Sequence, residues 1–185
     1  MDGGNSADTQ NTGRRPQAAK YIFIGAAFLV SAIVSYPWPR RGEPLIAASQ
    51  RQALHEVALQ QLDGGTWRLE DHRGEVVLIN YWASWCGPCR VETPGLARLA
   101  GDTKGVAVVG ISMDVGDRAP VRSFVRQLHV GYPIAFPEPL SQEAQAMVGL
   151  PTTILVDREG RVAKTYIGET QEREFRADVG KLLAE

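Results

Sequence analysis

From about residue 53 to its end the chain alternates short apolar runs with amphipathic stretches. "EVALQQLDGGTWRL" alternates apolar and polar positions on either side of Asp63 and Gly64, which predicts two short strands about a turn. "EVVLINYW" is a continuous run of β-branched and aromatic residues, the pattern of a fully buried strand, and it leads into Cys86. Residues 91–99 predict a helix with Pro94 as a kink, and "GVAVVGISM" predicts another buried strand. Val121, Phe124, Val125 and Leu128 fall at i, i+3, i+4 and i+7, one apolar helix face. "YPIAF" then predicts a short strand and residues 142–148 a brief helix. "TTILVD" and "RVAKTYI" predict a hairpin closed by Arg158, Glu159 and Gly160, and the last helix carries Phe175, Val179, Leu182 and Leu183 on one face. Strands that alternate with helices and end in a hairpin imply an α/β fold, a mixed sheet covered on both sides.

The part before residue 53 has a different pattern. Residues 1–20 are polar, rich in Gly, Asn and Gln and without apolar period, which predicts a disordered cytoplasmic tail. Residues 21–39 contain no charge, and "YIFIGAAFLVSAIVSYPW" is close to the roughly 20 residues that cross a bilayer. Tyr21, Tyr36 and Trp38 stand at its ends, where amphipathic aromatics favour the membrane interface. A core helix would show a polar face, and a cleaved signal peptide would end in small residues rather than in "YPWPRRGEP". One uncleaved transmembrane anchor is therefore expected. Arg14, Arg15 and Lys20 on one side balance Arg40 and Arg41 on the other, so the expected orientation rests on the short tail remaining in the cytoplasm. Residues 40–52 predict a linker, with a loose helical turn or two beginning near Ile46, and residues 53–185 the folded domain. The formal net charge of −1 gives no electrostatic reason to expect nucleic acid as a partner.

Both cysteines of the 185-residue chain, Cys86 and Cys89, lie within one helical turn. A bond between them would close so short a loop that it staples almost nothing, so the pair is not there for stability. At a junction of strand and helix, Cys86 meets unpaired backbone amides and the positive end of the helix dipole, both of which favour thiolate. Cys86 is thus the candidate nucleophile. Cys89, one turn further in, is placed to attack a mixed disulfide formed at Cys86. Gly87 permits a tight turn, and Pro88 has no amide hydrogen to waste in the first helical turn. The competing reading of Cys-x-x-Cys is half a zinc knuckle, but His55, His72 and His129 stand singly and supply no second half, so no metal is expected.

"WCGPC" after a buried strand, followed further on by "GLPTTILVD", resembles the thioredoxin superfamily. The wider "LDGGTWRLEDHRGEVVLINYWASWCGPCRVETPGL" is similar to its membrane-anchored TlpA/ResA-like branch, which includes the cytochrome c maturation thioredoxins. The resemblance covers nearly all of residues 53–185. It implies a thioredoxin fold with an N-terminal strand pair and a strand and helix inserted between Cys89 and Pro151. It also implies a cis peptide before Pro151, opposite Cys86, with the Leu150 backbone left to pair with an extended substrate segment. Thioredoxins themselves carry a buried aspartate six residues before the nucleophile, where this chain has Asn80. The TlpA/ResA-like branch commonly has a glutamate three residues after the second cysteine, where this chain has Glu92, a candidate base and tuner of the thiol pair. Trp82 is expected in the core and Trp85 on an apolar rim that meets the partner.

By this resemblance the chain is expected to be a single-pass protein of the bacterial inner membrane. Its domain, a monomer in the periplasm, would reduce protein disulfides through Cys86 and Cys89 and need no cofactor beyond that redox-active disulfide. Gly-Pro between the cysteines is the dipeptide of reducing thioredoxins, poised near about −270 mV against about −120 mV for the oxidant DsbA. In an oxidising compartment a membrane thiol-transfer protein is the implied electron donor; the client could be an apocytochrome c, an oxidase copper-site protein or a general pool. Two rivals are a thiol peroxidase and a non-catalytic copper carrier. A peroxidase sets its cysteine in Pro-x-x-x-Thr/Ser-x-x-Cys, and Ile79 and Ala83 do not supply that context. No Met-rich or His-rich segment supports the carrier.

Overall fold

A computed structural model of the chain describes residues 43–54, 57–137 and 149–185. The expected tail, the apolar run 21–39 and the brief helix over 142–148 lie outside the described residues; among these, no helix is long and apolar enough to cross a membrane. The elements are β1 (Ala58–Gln61), β2 (Thr66–Arg68), β3 (Val76–Trp82), α1 (Gly87–Asp102), β4 (Val106–Ser112), α2 (Ala119–Gln127), β5 (Ile134–Phe136), β6 (Thr152–Val156), β7 (Val162–Ile167) and α3 (Glu172–Leu183). They build one sheet in the order β2-β1-β5-β4-β3-β6-β7.

β3 is buried at every position, as its unbroken apolar run requires. It pairs parallel with β4 from Val76↔Val106 to Trp82↔Ser112, and antiparallel with β6, where Tyr81 faces Thr152. Parallel neighbours need a crossover, and α1 supplies it. A β3-α1-β4 unit and a β6-β7-α3 unit, with α2 and β5 between them, make a thioredoxin-like α/β fold. The β1-β2 hairpin adds to the far edge through β5, as the strand-pair expectation has it.

The alternation of side chains along β3 divides the core. Val76, Leu78 and Trp82 join Leu96 and Leu99 of α1, Phe124 of α2 and Phe175 and Val179 of α3. Val77, Ile79 and Tyr81 join Leu59, Trp67, Leu69, Val109 and Ile111. All three described helices thus serve one cluster. Among the described residues the second cluster is joined by Leu54, Val57, Met113 and Leu150 and by a 3-10 turn over Leu69–His72.

Two boundaries differ from the sequence pattern. α1 begins at Gly87 rather than at residue 91, because Cys86 caps it, and it runs through Pro94 to Asp102. The stretch read as a linker is, over its described part, attached to the domain. Ile46 N–H donates to the Ala163 carbonyl (2.9 Å), Val162 N–H to Gln52 (2.8 Å) and Leu54 N–H to Gly160 (3.0 Å). The looser turn expected near Ile46 is a 3-10 turn over Ala48–Gln50. Arg51 fixes this segment: Nε donates to the Ile46 carbonyl (2.9 Å) and Nη1 to Asp157 (3.2 Å) and Glu185 (2.6 Å). A backbone segment with these partners is part of the fold, whatever its Pro and Ala content suggests.

Burial alone would push the Asp157 carboxyl up. The Arg161 N–H and the Arg51 and Arg161 guanidiniums outweigh it and hold the group below its ordinary range. A carboxyl held low stabilises the fold above its unfolded value and ceases to as pH falls through its folded value. Arg51→Ala is therefore expected to lower the unfolding free energy by about 3 kcal/mol at pH 7, since it strips a partner from a buried carboxylate. Urea unfolding should show that difference narrowing as pH falls through the lowered folded value of Asp157. Equal stability of variant and wild type at pH 7 would mean the segment is merely laid against β7.

Candidate active site

β3 ends at Trp82, and the next three residues carry the chain to the top of α1. This loop is pinned from β4: the Ser84 N–H (2.8 Å) and hydroxyl (2.5 Å) both donate to Asp114, which also accepts from Ser112 (2.9 Å). Trp82 lies across β4 and stacks on Phe124 at 4.1 Å between centroids. Gly110 makes room for it, because a Cβ there would come within 2.8 Å of both Trp82 Nε1 and Ile134 Cδ1.

Cys86 is the N-cap of α1, and its sulfur accepts the Cys89 N–H at 3.2 Å. Cys86 and Cys89 form a disulfide with a Cα–Cα distance of 5.3 Å. Both sulfurs therefore sit at the positive end of a 16-residue helix. Cys86 keeps 5% exposure and Cys89 1%, so an incoming partner reaches Cys86 first. Pro88 occupies the first helical turn as expected. The reason given for Gly87 does not hold: it has no positive φ, and a Cβ there would meet nothing within 4 Å. The turn does not need a glycine, whose small size instead leaves the approach to the disulfide open.

Six residues after Cys86, the Glu92 side chain points back into the core, 5% exposed. Its Oε1 accepts from Asn80 Nδ2 (2.8 Å) and more loosely from the Thr153 hydroxyl (3.4 Å), and its Oε2 from the Thr170 N–H (2.8 Å). Asn80 also donates to Thr153 (2.9 Å). Burial dominates and pushes the Glu92 carboxyl up to about 7, against the pull of these three donors and with help from the Glu169 charge. The donors hold the carboxylate ready, and the apolar surroundings hold the proton on. Such a group changes protonation within the working pH range. Asn80 thus stands beside a carboxylate, but one supplied by α1 rather than by β3.

Leu150–Pro151 is cis, and the Pro151 carbonyl accepts from Gly168 N–H at 2.8 Å. The pairing of Thr152 with Tyr81 places this peptide at the same end of the sheet as Cys86. Trp85 is 72% exposed, as a rim residue should be, and Trp82 is buried. Neither Val115, 97% exposed beyond the Asp114 clamp, nor Thr153 and Thr170, which join Asn80 in the cradle, was singled out by the sequence. Thr153 and Thr170 are 61 and 78 residues from Glu92, and no local pattern announces such a contact. Among the described residues no group of three or more His, Cys, Asp and Glu side chains is placed to hold a metal ion.

A model of the AhpC/TSA family matches residues 51–173. The chain belongs to that family. A thiol-disulfide oxidoreductase ResA from Bacillus thuringiensis is 32% identical over 129 residues, 65% of this chain and 71% of that protein. A thiol:disulfide interchange protein DsbE from Chlorobium tepidum has a TM-score of 0.64 at 28% identity, covering 72% of this chain and 96% of that one. A secreted thiol-disulfide isomerase from Corynebacterium glutamicum has a TM-score of 0.68 at 27% identity, covering 81% and 97%. The ResA-like resemblance therefore holds, and the chain is a thiol-disulfide oxidoreductase.

Glu92 makes the stability of this ResA-like protein depend on pH with a definite sign. Its folded value, about 7, lies above the ordinary 4.5, so its contribution is complete below pH 4.5 and is lost as pH rises through 7. The shift corresponds to about 3 kcal/mol. Wild type should lose on the order of that amount between pH 4.5 and 8 relative to Glu92→Gln, measured by denaturant unfolding at each pH. Parallel profiles for the two proteins would show that Glu92 ionises freely in the fold.

Proposed function

We propose that the chain is a membrane-anchored reductant of protein disulfides in the bacterial periplasm. The observation that carries the chemistry is the pairing of a capped, more exposed Cys86 with a buried Cys89, three residues before the buried Glu92 on the same helix. In the reduced protein the Cys86 thiolate attacks a client disulfide; a Cys86–client bond forms and one client thiolate leaves and takes a proton. The Cys89 thiol gives its proton to the Glu92 carboxylate, and the Cys89 thiolate attacks the Cys86 sulfur. The mixed disulfide breaks, the Cys86–Cys89 bond forms and the second client thiolate departs. Two electrons have passed from the dithiol to the client.

Trp85, Gly87, Pro88, Leu150 and Pro151 form the surface that meets the client. Trp85 offers apolar area, Gly87 and Pro88 open backbone above the disulfide, and Leu150 a main chain for an extended segment to pair with. The uncharged run 21–39 is the anchor, and a membrane thiol-transfer protein returns the electrons. The client class includes apocytochrome c and oxidase copper-site proteins. Support for an extracytoplasmic site comes from the length and aromatic borders of the apolar run and from the secreted Corynebacterium neighbour.

Cys89→Ala leaves Cys86 able to attack but removes the thiol that resolves the adduct. Mixed disulfides should therefore accumulate in cells and run as extra bands under non-reducing conditions, at least about tenfold above wild type, and vanish in the double variant lacking Cys86. More adduct from Cys86→Ala than from Cys89→Ala would reverse the assigned roles. Turnover of hydrogen peroxide in place of protein disulfides would establish the peroxidase reading instead.

A further inference from the structure

The basic side chains of this domain fall into two groups. Around β7 and α3 several are matched to carboxylates, Arg51 to Asp157 and Glu185, Arg98 and Arg176 to Glu172, Lys164 and Lys181 to Asp178, although Arg158 rests on the Gly74 carbonyl and Arg173 has no such partner among the described residues. Around α2 they are not. Among the described residues, Arg90, Arg118, Arg122 and Arg126 pair with no carboxylate, although Arg118, Arg122 and Arg126 recur at i, i+4 and i+8 on one flank of α2. Residues 118–137 contain no Asp or Glu.

Three of these guanidiniums are held by neutral groups. Arg118 lies over the Phe136 ring at 4.0 Å, and Arg122 Nη2 donates to the Leu62 carbonyl at 3.2 Å. On the opposite flank of α2, Arg90 Nη2 donates to Gln127 Oε1 at 2.8 Å and the group lies 5.2 Å from the Phe124 ring centre. Cation–π and carbonyl contacts fix a guanidinium without neutralising it, and they leave several of its five donors for another acceptor. The nearest acidic residues in sequence are already engaged, Asp117 with the Ala119 N–H and Asp114 with Ser84 and Ser112.

Of these four arginines, Arg90 adjoins the disulfide. Arg90 directly follows Cys89, and its N–H donates to the Cys86 carbonyl at 3.3 Å. Arg118 follows, by four residues, the Asp114 that clamps the loop leading to Cys86. A partner sulfur brought to Cys86 would carry its flanking residues over α2.

We propose that Arg90, Arg118, Arg122 and Arg126 are a docking surface for an acidic protein segment, one that carries Asp or Glu beside the disulfide exchanged at Cys86. Its carboxylates pair with pre-positioned guanidiniums, which lose little freedom on binding. The pairing steers encounter and selects among disulfides of equal chemical reactivity. This specificity rests on the disulfide exchange proposed above.

The test uses the full chain in a non-ionic detergent, reduced with dithiothreitol and freed of it, so that each molecule turns over once. Two cyclic peptides of identical sequence around one disulfide are offered, one flanked by glutamates and one by lysines. At low ionic strength the acidic peptide should be reduced about tenfold faster or more, and 0.5 M salt should abolish the difference. Arg118→Glu, Arg122→Glu and Arg126→Glu together should invert the preference, while lysine at the same three positions should keep its sign. Equal rates for the two peptides in 20 mM salt, or preference for the basic one, would overturn the docking surface. Reduction of 2-hydroxyethyl disulfide separates that failure from a deeper one. If wild type turns over this uncharged probe while treating the peptides alike, only the docking surface falls; if it reduces no disulfide at all, the oxidoreductase reading falls with it.

Discussion

One carboxyl group sits where four parts of the fold meet. Glu92 comes from α1, Asn80 from β3, Thr153 from β6 and the Thr170 N–H from the chain entering α3. A charge in that position would be prohibitively unfavourable without donors, and a permanently neutral group would serve no proton transfer. The three donors against one burial cost leave a group balanced near neutrality. The same contacts hold α1 in position against the central strand, so the helix that carries both cysteines is fixed by the group to which we assign proton exchange with one of them. Register and reactivity are tied together at a single side chain.

The remainder of the polar interior is organised for rigidity. Asp178 collects the Lys164 ammonium (2.6 Å), the Tyr166 hydroxyl (2.9 Å) and the Lys181 ammonium (2.7 Å), and so binds α3 to β7. Asp157 does the same for the β6–β7 turn and the segment containing Arg51. On that side of the molecule charge is spent inward. Around α2, Arg118 rests on a ring, Arg122 on a carbonyl and Arg90 on a side-chain amide, and none of them pairs with a carboxylate.

Much of this was legible in the residues. β3 declared itself by an unbroken apolar run, the β6–β7 hairpin by its turn residues, and the redox pair by its spacing at the end of a strand. Helix faces on α2 and α3 followed from their periodicity. The apolar period starts α1 four residues late, whereas the chemistry of Cys86 and Pro88 already placed its start at the cysteine. Two features were hidden because local pattern does not encode them. The attachment of residues 43–54 depends on Arg51 finding Asp157 and Glu185, 106 and 134 residues away. The cradle of Glu92 is likewise made by residues remote in sequence, so family resemblance could point to Glu92 but not to what holds it. Gly87 shows the opposite error: a glycine read as permitting a tight turn, where the backbone has no positive φ that requires one.

The central claim is that Glu92 is a buried proton carrier coupled to the cysteines. Its carboxyl carbon can be followed by 13C NMR across pH in the oxidised protein and again after reduction, with Glu92→Gln identifying the signal. The account predicts a midpoint near 7 in the oxidised form and a changed midpoint once Cys89 is a thiol that shares its proton. A midpoint near 4.5 that is the same in both redox states would contradict it.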